Sequence, residues 1–197
     1  MVDNIRFESQ IRFIKEIDKL KQVFRQTLLI GKSRQETSSE HSWHIALMAI
    51  ILLEYVEGQI DLLRVVKMLL IHDLVEIDAG DTPCYNELAC QTKPERELKA
   101  ANRIFNLLPI DQAHYLKLLW KEFEDCQTLD SKFANAVDRL EPLISNYYTE
   151  GKAWKKNKVR KNQVIKRIYS IKDISPKIWK YASDLVEDSV RKGILSE

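Results

Sequence analysis

Glycine and proline are scarce in this 197-residue chain, five of each, and cysteine is scarcer still at three. Cys84, Cys90 and Cys126 are odd in number and form no CxxC pair. That excludes a disulfide framework and a thiolate zinc site, and buried, reduced packing is the expected role. Long hydrophobic runs are missing too: the longest ends at Leu53, far short of the roughly 20 residues that a membrane-spanning helix needs. The N-terminal segment carries Asp3, Arg6, Glu8 and Arg12 where a secretory signal needs an apolar stretch, so the expected setting is cytoplasmic with no membrane partner. There is no P-loop, no GxGxxG and no Ser-His-Asp order, which leaves dinucleotide binding and covalent acyl chemistry without support. An excess of one charge is also lacking, since 31 Lys and Arg face 29 Asp and Glu. Whole-chain charge therefore gives no reason to expect a nucleic-acid partner.

The balance hides an asymmetry. Residues 151–180 hold 11 Lys or Arg and one acid, Asp173, leaving the rest at a net of about minus eight. Trp154, Tyr169 and Trp179 interleave with these cations as in a nucleic-acid surface, but the charges spread around the helices as solvated faces do.

Apolar residues recur at three- and four-residue spacing almost throughout, so the fold class is all-α. A first helix is expected through Ile5, Ile11, Ile14 and Leu20, ending before a loop over 31–39. Ser38 or Ser39 is expected to cap a second helix, which stops near Gly58, and Asp61 a third through Val65 and Leu69. Residues 78–93, with Gly80, Pro83 and Asn86, read as a loop. Further helices are expected over 94–107, 111–123, 130–148, about 155–170 and 175–192. With no linker or repeat visible, residues 1–197 are expected to form a single helical domain, its core over about 20–154 and basic helices 155–193 packed on it.

Histidine is the rarest useful signal: four in all, with His41, His44 and His72 in the first half. The third helix is apolar until it meets His72, Asp73, Glu76, Asp78 and Asp81 within ten residues. Buried charges must be paired or coordinated, so a metal site is one reading. On a helix His72 and Asp73 lie about 100° apart and Glu76 overhangs both. His41 offers a third ligand and Asp138, within an apolar helical stretch, a fourth. Imidazole with carboxylate suits Mn, Co, Zn, Fe or Mg. The bland readings are a helix-end ion pair for His72-Asp73, an intrahelical pair for Asp138-Arg139, residues flanking Trp43 for His41 and His44, and a structural or exposed His114. Spacing alone leaves both readings open.

The ordered set Glu40-His41-Ser42, His72-Asp73-Leu74-Val75-Glu76, Gly80-Asp81-Thr82 and Asp138-Arg139-Leu140 resembles the HD-domain metal-dependent phosphohydrolases, and especially the branch that includes the bacterial 5'-deoxynucleotidases. The resemblance implies a helical HD domain in which His41, His72, Asp73 and Asp138 bind one divalent cation: Mn, Co, Mg or Zn. It further implies that Glu76 works on the water nucleophile, that Asp81 touches the nucleotide sugar and that Arg25 contacts phosphate. A tryptophan of that branch, which follows the arginine and helps select deoxyribose, is replaced around Gln26 to Leu28. The activity implied is release of inorganic phosphate from nucleoside 5'-monophosphates. Hydrolysis of nucleotide di- or triphosphates or alarmones is the alternative within the superfamily, and a non-catalytic, metal-stabilised binding protein the alternative outside it. Broad apolar helix faces and the habit of relatives imply a homodimer.

Overall fold

The computed structural model describes residues 2–197. Helix α1 (Val2–Ile17) runs into a 3-10 turn, Asp18–Gln22, and then the chain departs from expectation. Strands β1 (Phe24–Leu28) and β2 (Gln35–Thr37) form a short antiparallel hairpin, with Phe24 opposite Thr37 and Leu28 opposite Gln35. Strands of five and three residues are too short for alternation to stand out from helical periodicity.

Helix α2 (Ser38–Leu52) is capped by Thr37, one residue before the expected serines. The Thr37 hydroxyl accepts the Glu40 N–H, and the Glu40 carboxylate accepts the Thr37 N–H at 2.9 Å, a reciprocal capping box. Ser38 is not needed as the cap; it is buried, and its hydroxyl donates to Glu76 at 2.6 Å. Asp61 caps α3 (Leu62–Ile71) as expected, accepting the Arg64 N–H at 3.0 Å.

The polar stretch after α3 is a 3-10 turn, His72–Val75, followed by the single-turn helix α4 (Glu76–Ala79). Helix α5 (Glu87–Phe105) starts well before Pro94, where sequence places its start, because Asn86 caps it by accepting the Ala89 N–H at 3.1 Å. Pro94 sits inside the helix and leaves the Cys90 carbonyl without its usual donor. Helices α6 (Ile110–Asp125) and α7 (Leu129–Tyr148) follow, then α8 (Lys152–Lys156), α9 (Lys161–Ile168) and α10 (Pro176–Arg191). Ser175 caps α10 and Pro176 occupies its first turn.

Helix α7 is the central element, packed by α2, α3, α6, α9 and α10. Phe133, Ala134, Ala136, Val137 and Leu140 bury its apolar side, against α3 residues Val65, Met68 and Leu69 that are fully buried. One contiguous hydrophobic cluster runs from Phe13 to Leu195 and includes Ile178, Ala182 and Val186 of α10. The tail therefore contributes to the core through its apolar face. Its Lys152, Lys155, Lys156, Lys158, Lys172, Lys177 and Lys180 lie exposed on the other side, and Trp154 is buried rather than available for stacking on a base. Among the described residues no helix is long and apolar enough to cross a membrane. The cysteines are free, but Cys84 is exposed and the others half-buried, so none is the buried packing residue expected.

Candidate metal centre

Three elements bring the sequence-selected residues together. Helix α2 supplies His41, the 3-10 turn after α3 supplies His72 and Asp73, and α7 supplies Asp138. All four are buried. The 3-10 turn ends at Val75 and Glu76 opens α4, so Asp73 and Glu76 lie three residues apart across that junction, a tighter path than the continuous α-helix that sequence implies. Gly80 ends α4 at φ 71°, a conformation that glycine adopts without strain, and turns the chain so that Asp81 lines the same cavity. Arg96 of α5 holds that turn by donating to the Ala79 carbonyl and to Thr82 Oγ1.

The orientation of the two imidazoles is informative. The Nδ1–H of His72 donates to the Leu69 carbonyl at 2.9 Å, and that of His41 donates to Glu141 Oε2 at 3.1 Å. Both Nε2 atoms then point into the cluster, as lone pairs when the ring is neutral and as N–H donors when it is protonated. His41 Nε2 lies 3.0 Å from Asp138 Oδ1. His72 Nε2 lies 3.0 Å from Asp73 Oδ1 and 3.7 Å from Asp138 Oδ1, yet among the described residues it has no partner in hydrogen-bonding geometry. Nitrogen lone pairs facing carboxylate oxygens repel unless a proton or a cation lies between them. One ligand atom each from His41, His72 and Asp73 falls within 4.8 Å of the others.

The charges follow the same geometry. Burial and Arg25 push the His41 pKa down, but Asp138 and Glu141 raise it to about 9. Burial also opposes ionisation of Asp138, which His41 and His72 nonetheless hold well below the usual carboxylate range. Burial first, and then the Asp73 charge, pushes Glu76 up to about 8. Burial likewise raises Asp81. Arg25 Nη1 donates to Asp73 Oδ2 at 2.7 Å, and its Nε is 3.7 Å from Glu36 Oε2. Arg25, His72, Asp73, Glu76, Asp81 and Asp138 line a cavity of about 690 Å3, within the range of small-molecule sites; His41 is not part of its lining.

His44 stays apart, 3.8 Å from Glu141 Oε1, and His114 is exposed on α6. Sequence reasoning missed Glu141 and Glu36, the two carboxylates behind His41. Glu141 lies i+3 from Asp138 on the same buried face, a signal available from helical spacing. Burial and the neighbouring Glu141 raise Glu36 to about 7, and nothing in its sequence context marks it.

The HD domain family model matches residues 17–179. The chain belongs to the HD domain family of metal-dependent phosphohydrolases. The HD-domain match runs past residue 154 and takes in much of the basic tail. A crystal structure of a predicted metal-dependent phosphohydrolase from Magnetospirillum magnetotacticum is 49% identical, with a TM-score of 0.93 over 98% of this chain and 96% of that one. The 5'-deoxynucleotidase HDDC2 of Dictyostelium discoideum is 30% identical over 146 residues, 71% of this chain and 77% of its own length. The human protein of the same name is 28% identical over 137 residues, 69% of this chain, and the match spans 66% of the human protein's length.

Proposed function

We propose that this HD-domain protein hydrolyses nucleoside 5'-monophosphates to nucleoside and inorganic phosphate, using one divalent cation held by His41, His72, Asp73 and Asp138. The observation that carries the reading is the convergence of two imidazole Nε2 atoms on carboxylate oxygens of Asp138 and Asp73, which with His72 line a 690 Å3 cavity. The donor set fits a cation: the Nε2 of His72 is buried without a hydrogen-bond partner among the described residues, and each imidazole is oriented by a bond from its far nitrogen. The mixed nitrogen and oxygen ligands suit Mn, Co, Mg or Zn.

A cation there supplies positive charge to a phosphoryl oxygen and lowers the pKa of water. Glu76 is positioned as the proton carrier. Ser38 donates to its Oε2, fixing the carboxyl beside the cluster, from where it can take a proton from water and return one to the leaving oxygen. Arg25 spends Nη1 on Asp73 and offers phosphate its Nη2, and Asp81, on the turn after Gly80, is available to a sugar hydroxyl. Support for a nucleoside monophosphate comes from the relatives named 5'-deoxynucleotidase. We further propose that residues 1–197 form one HD domain and that two copies pair. Trp43, Leu47 and Ile50 of α2 and Leu63 and Leu70 of α3 are exposed apolar residues that a second copy would cover.

The test is phosphate release from ribo- and deoxyribonucleoside mono-, di- and triphosphates by metal-stripped protein reloaded with Mn, Co, Mg or Zn. Monophosphates are expected to be cleaved only with metal, and Glu76→Ala is expected to lower kcat about 100-fold or more. Cleavage confined to di- or triphosphates would move the reading to polyphosphate hydrolysis, and metal binding with no cleavage to a metal-stabilised binding protein.

A further inference from the structure

The basic segment 151–180 is the one charged feature of the sequence that the proposed chemistry leaves unused, and most of its cations project into solvent. Arg167 differs. It lies on α9, whose Val164 and Ile168 are buried in the core, and that packing turns Gln163, Val164 and Arg167 toward the cavity as part of its wall. Its Nη2 is 3.7 Å from Asp138 Oδ2, the oxygen that His41 leaves free. Among the described residues its guanidinium makes no direct hydrogen bond.

The other cations of the cavity are engaged in whole or, for Arg25, in part. Arg25 donates to Asp73 at 2.7 Å and lies against Glu36, with its side chain only 13% exposed. Arg139 donates to Ser170 Oγ at 2.5 Å and Asn135 Oδ1 at 3.2 Å. Lys93 faces Glu97 at 3.5 Å. Arg167 is the arginine of the cavity wall with its donors uncommitted and its side chain 40% exposed, open to a ligand. A guanidinium fork matches a pair of phosphate oxygens in shape and charge. Its distance from Asp138 puts it beside the cluster rather than at the far, sugar-and-base end of the cavity.

We infer that Arg167 is a phosphate-binding residue: from the C-terminal tail it donates to the phosphoryl oxygens of the substrate, and to inorganic phosphate as product, while Arg25 reaches the same group from β1. This rests on the reading of His41, His72, Asp73 and Asp138 as the cation site. The tail thereby takes part in the active site, since α9 carries one of the two arginines that hold the substrate's anion.

The test is calorimetric titration of the full-length, Mn-loaded protein with inorganic phosphate, with metal content measured for each variant. Arg167→Ala is expected to weaken phosphate binding about 10- to 100-fold at unchanged metal content, the loss of one charge-assisted contact. Arg167→Lys is expected to recover only part, because an ammonium restores the charge without the fork. Lys166→Ala, the same charge change one residue away on an exposed position, is expected to match wild type. Equal phosphate affinity in wild type and Arg167→Ala overturns the assignment of Arg167 while leaving the phosphohydrolase reading intact. Loss of metal from Arg167→Ala also overturns it, since Arg167 would then serve Asp138 rather than phosphate. Absence of phosphate binding by the Mn-loaded wild type overturns both.

Discussion

Helix α3 and the four residues that follow it are adjacent in sequence and built for opposite ends. Val65, Met68 and Leu69 bury apolar surface completely, and each such side chain stabilises the fold by roughly 1.5–3 kcal/mol. His72 and Asp73 in the following turn, with Glu76 just beyond it, are buried almost as deeply, and desolvating them is unfavourable. The difference shows how this fold holds its site: the apolar turns of α3, clamped between α2 and α7, fix the position of a stretch that would not choose burial by itself.

Substitutions on the two sides should separate cleanly. Asp138→Ala removes a proposed ligand, and loss of bound metal with a fall of about 1,000-fold in kcat/KM is expected, measured by metal analysis and phosphate release. Leu69→Ala should do the reverse, lowering unfolding free energy by about 2–5 kcal/mol in denaturant titration while the folded fraction keeps its metal affinity. Comparable loss of metal in both variants would erase the distinction.

Glu141→Gln probes the layer between the two regions. Glu141 is 1% exposed, accepts the His41 Nδ1–H and is bonded by Ser145. An amide keeps the shape but not the charge that makes His41 a strong ligand, so metal affinity should fall about 10- to 100-fold. Per pH unit, the effect of pH is of the smaller order. His41, raised from 6.5 to about 9, carries a proton at neutral pH when no cation is bound. That raised pKa stabilises the cation-free fold fully below about 6.5, a contribution lost as pH rises through about 9. Binding must displace the proton, so affinity should weaken by about tenfold per pH unit for each proton displaced as pH falls below 9, and should not change if His41 is no ligand.

The comparison also explains what sequence conveys. The all-α class is legible because apolar residues at three- and four-residue spacing fill α3, α7 and α10. His41, His72, Asp73 and Asp138 stand out because histidine is rare here and acids are out of place in apolar helices. The β1–β2 hairpin is hidden by its brevity, and the early start of α5 by Pro94, which reads as a first-turn residue but lies within the helix. Glu36 and Arg167 are ordinary charges until folding brings a strand and the tail against the cluster, at 3.7 Å from His41 Nδ1 and from Asp138 respectively.

The central claim is that the four buried ligand residues hold one cation in place of the imidazole proton that His41 carries without it. Titration of metal-stripped protein with Mn in weakly buffered solution tests it directly, reading heat and released acid together. One Mn per chain, bound with net proton release and lost in Asp138→Ala, is the result the account predicts. Binding without proton release, or binding that survives Asp138→Ala unchanged, would contradict it.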